Sequence, residues 1–188
     1  MEFPDIEIRE FAIGEIRSHG VNDIAVVFNR IGKPTVNWIA LLSKEKNGSY
    51  RIDHTTKEIN PGGGNDDFSV EIRNSALFVR TSFPGQSIAE ADEYQFKYRG
   101  GIFRLIGVKM NLFSHAADDS SYRYTLSTNL LTGEKNEFIE DDIDGKRKRR
   151  EVKSLVPIRP PIKLEDFDFV VGLRAELRPT VGRDFEIR

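Results

Sequence analysis

The chain contains no cysteine, which removes disulfides, thiolate nucleophiles and cysteine-ligated zinc from consideration at once. That absence leaves the compartment open. Histidine is scarce as well: His19, His54 and His115 are the only three, and no two stand in a His-x-x-x-His pairing. There is no Gly-x-Ser-x-Gly turn either, so neither a metallohydrolase nor a serine hydrolase finds its usual parts. No apolar run approaches the roughly 18 to 20 residues of a membrane-spanning helix. The 28 basic residues against 30 acidic ones leave a formal charge of −2, so no overall field draws the chain to nucleic acid or to an anionic membrane. The first residues carry neither the basic start nor the apolar core of an export signal. Met1-Glu2-Phe3-Pro4 fits an initiator methionine placed before a mature exported domain as well as it fits a cytosolic start.

What is present is a globular composition, 38% hydrophobic and 31% charged over 188 residues, enough to bury a core as one cooperative unit. Short runs rich in β-branched and aromatic residues are separated by Gly, Pro, Asn and Asp, the pattern of many short strands. Strands are predicted over 6–11, 23–29, 37–43, 50–55, 68–73, 76–82, 92–98, 102–110, 122–129 and 134–139, with a weaker one over 167–177. Asn47-Gly48, Asn74-Ser75 and Gly100-Gly101 each fall between two such runs and read as hairpin turns, so consecutive strands should pair as neighbours. The expected fold is mostly β: an antiparallel multi-stranded sandwich or barrel-like sheet with long loops. Helix is expected only as a short turn near 163–167 or around 88–92.

Several stretches invite a chemical reading. Gly62-Gly63-Gly64 resembles a phosphate cradle but lacks the Gly-Lys-Ser/Thr ending, and a flexible loop is the preferred reading. Asn65, Asp66 and Asp67 offer oxygens to a hard cation without completing a ligand series. Residues 140–150 form an acidic block followed by the basic run Lys146-Arg147-Lys148-Arg149-Arg150. The acids cancel much of the basic field and no aromatics are interleaved for base stacking, so the stretch reads as an exposed excursion and no nucleic-acid site is expected. Val156-Pro157-Ile158-Arg159-Pro160-Pro161-Ile162 is too rich in proline for a central strand and should be an extended cover or linker. No pair of carboxylates stands out for glycoside chemistry, and the chain is not expected to be an enzyme or to carry a cofactor.

A set of ordered segments carries a resemblance. They are Ile39-Ala40-Leu41-Leu42, Gly48-Ser49-Tyr50-Arg51, Gly62-Gly63-Gly64, Glu93-Tyr94-Gln95-Phe96-Lys97-Tyr98 and Phe103-Arg104-Leu105-Ile106-Gly107. Tyr124-Thr125-Leu126-Ser127-Thr128-Asn129-Leu130-Leu131-Thr132-Gly133 and Lys163-Leu164-Glu165-Asp166-Phe167 complete it. In this order the chain resembles bacterial envelope proteins related to inhibitors of invertebrate-type lysozyme, among them immunity proteins against lysozyme-like antibacterial effectors. Such proteins commonly carry a calcium loop, Asp-x-Asn-x-Asp-Gly-x-x-Asp, near the N-terminus. Here the matching stretch runs from Glu15 through Arg17 and His19 to Gly20 and Asp23. A guanidinium and an imidazole supply no carboxylate oxygen, so the loop should keep its turn without the metal. Arg17 is expected to pair with Glu15 or Asp23 instead.

The resemblance implies a protein partner, a toxin or peptidoglycan hydrolase, whose active site is plugged by a loop carrying Ser and Tyr. The candidate is the segment 118–124, with Ser120, Ser121, Tyr122 and Arg123 as contact residues and Phe113 and His115 as neighbours. Hydroxyls could engage the two carboxyl groups of a glycosidase cleft. Tyr124, on the same strand, could equally face the core. The alternative is a non-catalytic glycan- or protein-binding module of the cell envelope. A β-rich domain over 1–169 with a C-terminal extension over 170–188 packed on it is expected. A periplasmic or envelope-associated location follows from the resemblance and a cytoplasmic one from the missing signal, while the oligomeric state stays open.

Overall fold

A computed structural model describes residues 6–17, 20–59, 67–84, 88–115, 120–143, 145–158 and 160–167. Eleven strands follow one another: β1 (Ile6–Gly14), β2 (Asp23–Arg30), β3 (Lys33–Lys44), β4 (Tyr50–Thr55), β5 (Asp67–Arg73), β6 (Ala76–Pro84), β7 (Ile88–Arg99), β8 (Ile102–His115), β9 (Ser121–Asn129), β10 (Glu134–Ile143) and β11 (Lys146–Leu155). A 3-10 turn over Leu164–Asp166 is the one helical element among the described residues. Strands β1 to β4 form a four-stranded sheet and β5 to β11 a seven-stranded one, each in chain order and antiparallel throughout. The two sheets do not close into a barrel; they face one another as a sandwich.

The turns explain the meander. Asn74 and Ser75 adopt φ of 50° and 54°, the paired left-handed conformation that a two-residue hairpin needs to match strand twist. Gly100 and Gly101, at 58° and 84°, do the same between β7 and β8 without a Cβ penalty. Alternation then sorts the side chains. Ala25, Val27, Ile39 and Leu41 from the smaller sheet meet Phe68, Val70, Leu77, Val79, Tyr94, Phe96, Leu105 and Leu126 from the larger one in a single core. At one corner β1 runs so close to β5 that a Cβ on Gly14 would lie 2.6 Å from Ile72 Cγ2.

The proline-rich stretch after β11 is an extended cover, as expected. Val156 N donates to Gly133 O at 2.8 Å, and Leu105 N donates to Ile162 O at 2.9 Å, tying the cover to β8. It delivers Leu164, fully buried, and Phe167, whose ring meets Tyr94 and Phe96 edge-on at 4.9 and 5.5 Å. His54 Nδ1 on β4 and Glu165 share a hydrogen bond that fastens the turn to the smaller sheet.

Two expectations are corrected. The basic run 146–150 is no loose excursion: it is the first half of β11, and its charges pair across the ladder with β10, Arg149 opposite Glu140, Lys148 opposite Asp141 and Arg147 opposite Asp142. An edge strand held by ladder hydrogen bonds and opposite charges needs no apolar alternation. Residues 88–92 are strand rather than helix, because β7 pairs along its whole length with both β6 and β8. The glycine-rich loop with Asn65 and Asp66, the weaker strand beyond Phe167 and the extension over 170–188 lie outside the described residues.

Candidate partner-binding site

The expected contact residues fall at the end of the β8–β9 pair, and strand parity divides them. Tyr124, Leu126 and Thr128 of β9 point inward and are buried, so Tyr122 points inward too; it is half-buried and packs against the core. Ser121 and Arg123 take the opposite face. The ladder sets Ser121 opposite His115 and Arg123 opposite Phe113, bringing these four side chains together on the outer face of the larger sheet. Phe113 is 41% exposed, and the Arg123 guanidinium lies over its ring, 6.0 Å from the centroid. Ser120 leads into β9 at intermediate exposure, and Asp118 and Asp119 lie outside the described residues.

The patch adjoins the charged hairpin. Arg123 stands opposite Glu140 on β10, and Glu140 in turn accepts a hydrogen bond from Arg149 Nε at 2.7 Å and lies 3.5 Å from Arg147 Nε. The rim therefore carries three arginines around one glutamate, beside an exposed aromatic ring. On the inner face burial pushes the Tyr122 phenol up, and the charges of Asp141 and Glu137 push it further, so it remains a neutral hydroxyl. Tyr124 is held still more firmly in that state by burial and by donating to Glu137 Oε1 at 2.7 Å. Glu137 is fully buried, and Lys135 Nζ approaches its other oxygen at 3.2 Å.

The loop matched to a calcium site has a different occupant. Arg17 Nε donates to Asp23 Oδ1 at 2.7 Å, and its two terminal nitrogens reach Asp23 and Asp53. The pairing expected with Asp23 forms, and Asp53, distant in sequence, completes it. Asp23 Oδ2 also accepts the backbone N–H groups of Ile16 and Arg17, both at 3.1 Å, which fixes the turn. Burial alone would raise the Asp53 carboxyl; hydrogen bonds from Ser43, Arg17 and Arg51 and the nearby Arg17 charge override it and bring it down to about 2. His19 lies outside the described residues, and among those described no cluster of three or more His, Asp or Glu is placed to hold a metal ion.

Sequence reasoning missed a groove on the outer face of the larger sheet. Gly107 of β8 has no side chain to fill the space between Gln95 on β7 and Ser127 and Asn129 on β9, leaving a hollow of about 270 Å³ that Glu93, Lys109 and Leu131 border. A Cβ at Gly107 would stand 3.2 Å from Gln95 Oε1, so the hollow depends on glycine. Its sequence signal was a single glycine within a strand. The chain matches no family model, no curated protein and no solved structure.

Proposed function

We propose that this chain is a non-catalytic binding protein that inhibits, or confers immunity to, a lysozyme-like peptidoglycan hydrolase by covering its active-site cleft. The observation that carries this reading is the outer-face patch in which Arg123 lies over the exposed Phe113 ring beside His115 and Ser121. Arginine and aromatic side chains dominate binding energy at protein interfaces, and a cationic, hydrogen-donating rim suits a cleft that carries two carboxyl groups. The resemblance to lysozyme inhibitors supplies the identity of the target, and with it a periplasmic or envelope location.

The inward turn of Tyr122 changes which residues should matter. Phe113, Arg123, Ser121 and His115 are the contact set, and Tyr122 supports them from beneath. Inhibition of an invertebrate-type lysozyme by purified protein, repeated with Arg123→Glu, Phe113→Ala and Tyr122→Phe, tests this. Arg123→Glu and Phe113→Ala should each weaken inhibition at least tenfold while Tyr122→Phe leaves it unchanged. An undiminished hydrolase rate at stoichiometric excess of the wild-type protein would sink the reading.

The Gly107 hollow favours a second reading, a glycan-binding module, because Gln95, Lys109, Ser127 and Asn129 converge on a space of sugar size. Soluble peptidoglycan fragments titrated against wild type and Gly107→Leu decide it: binding lost in the variant supports the module, and no binding by wild type removes it.

A further inference from the structure

Two strands of the smaller sheet are built as if both of their faces were covered. β2 carries Ile24-Ala25-Val26-Val27-Phe28, and β3 carries Trp38-Ile39-Ala40-Leu41-Leu42. A strand with one wet face alternates; an unbroken apolar run belongs to a strand that is dry on both sides. One side is accounted for by the shared core, which takes Ala25, Val27, Ile39 and Leu41. Phe28, Trp38 and Ala40 point the other way, to the outside of the sandwich.

β1 makes the same point more sharply. Its large apolar side chains, Ile8, Phe11 and Ile13, face outward and are 64%, 61% and 54% exposed. Its inward side holds Glu7 and Glu10 toward one end and the small residues Ala12 and Gly14 toward the other, where Ile72 of β5 leaves no room for a Cβ at Gly14. An edge strand meant for water is normally marked by charge. β1 carries that mark in Glu7, Arg9 and Glu10, with a bulge between Ile8 and Glu10, yet its outward side presents a ridge of three apolar knobs. Beside the ridge the face dips into a dish of about 340 Å³ floored by Ala40 and walled by Ile6, Phe28, Trp38 and Ile52.

We propose that the outer face of the four-stranded sheet is the interface of a two-fold homodimer, in which the Ile8, Phe11, Ile13 ridge of each copy lies in the dish over Ala40 of the other. A ridge and a dish side by side on one face meet the requirement of a two-fold axis that the same patch be complementary to itself. Sheets stack face to face in this way when both presented faces are apolar. Four strands about 4.8 Å apart, each of about eight residues rising about 3.3 Å, give a face of roughly 500 Å² in plan. Side-chain relief carries that toward the roughly 800 Å² per partner of a specific interface. Charge is kept to the margin: Arg30 sits at the edge of the dish with its guanidinium 5.6 Å from the Trp38 ring centroid. The surface lies on the opposite sheet from the hydrolase patch, so either proposal can fail without the other.

Sedimentation equilibrium of the full chain through the micromolar range tests it. Wild type should sediment at twice the chain mass, and Phe11→Glu and Ile52→Glu, both at exposed positions, should weaken association at least about tenfold. Leu155→Glu, on the far edge of the other sheet, should leave it intact. Because the chain has no native cysteine, an equal mixture of Phe11→Cys and Ile52→Cys proteins gives a second readout that needs no folding-sensitive charge. Under mild oxidation the mixed disulfide should exceed either same-residue disulfide by well over the roughly two-to-one ratio that random pairing gives. A wild type that remains monomeric, or a dimer that survives both glutamate variants, overturns the proposal. So does a monomer that floats with phosphatidylcholine–phosphatidylglycerol vesicles and loses them on Phe11→Glu, an outcome that assigns the face to a lipid surface instead.

Discussion

Replacing Arg17 by methionine keeps an unbranched stem and deletes the charge that two carboxylates share. The side chains of Arg17, Asp23 and Asp53 are only 17%, 4% and 13% exposed, so water compensates little for the loss. Breaking a buried ion pair by removing one partner costs roughly 3–5 kcal/mol. The lower end applies here, because Asp23 keeps its two backbone donors and Asp53 keeps Arg51 Nε at 2.9 Å. An expected loss of about 3 kcal/mol corresponds to a fall in Tm of about 6–12 °C for a chain of this size. The Asp53 carboxyl is brought from its ordinary 3.8 down to about 2 by Ser43, Arg17 and Arg51 together, equivalent to at most about 2 kcal/mol of stability, of which Arg17 supplies a part. The sign follows from the folded value lying below the unfolded one: this stability is fully present above about pH 4 and is lost as pH falls through 2. Urea titrations of wild type and Arg17→Met between pH 7 and pH 2 should show the difference between the proteins shrinking toward acid. A loss below about 1 kcal/mol at neutral pH, with the same acid dependence in both proteins, would refute the account of Arg17 as a shared counter-ion.

Calcium titrated calorimetrically into the wild-type chain should give no binding heat, since the guanidinium fills the space between Asp23 and Asp53; micromolar binding that involves this loop would defeat that expectation. Ser75→Gly should stabilise by about 1 kcal/mol in urea, because Ser75 holds φ of 54° in the β5–β6 hairpin, where glycine carries no Cβ penalty. Tyr124→Phe should cost about 1.5–3 kcal/mol by withdrawing a hydrogen bond from the fully buried Glu137 carboxylate. Because the Tyr124 phenol is raised, its contribution is complete below its ordinary value and fades at higher alkalinity, so the wild type should lose stability faster than Tyr124→Phe as pH rises above about 10.

The strand list was legible because turn residues and β-branched runs act locally, and Asn74-Ser75 and Gly100-Gly101 fixed the order of pairing before any long-range contact was considered. β11 was misread because its first five residues are all cationic and show no apolar period. The legible clue was the mirror image of acids and bases about Asp144-Gly145, a dipeptide suited to a tight hairpin, with Gly145 at φ 70°. Which face of a strand is dry was harder. Alternation in 121–126 separates Tyr122 from Ser121 and Arg123, but only the burial of Tyr124 and Leu126 says which set is inside. The partnership of Arg17 with Asp53 was beyond reach, since it spans two connections and depends on how β4 lies beside β3.

The two outer faces of the sandwich follow opposite rules. On the larger sheet Arg73 and Arg80 both hold Glu93, at 2.9 and 2.7 Å, and Arg80 also meets Glu71 at 2.9 Å. Each such pair adds little stability at this exposure, but together they keep the face wet and discourage stacking against another sheet. No comparable network crosses the outer face of β1 to β4 among the described residues; there Phe11, Phe28 and Trp38 occupy the positions that charges hold opposite. Identical sandwich packing on the inside therefore cannot account for the difference, since the core asks nothing of an outward side chain. A chain that dimerised through the smaller sheet would leave the proposed partner-binding patch free on each copy, directed away from the two-fold axis. Loss of dimerisation should then lower avidity for a polymeric target while leaving the intrinsic affinity of each patch unchanged.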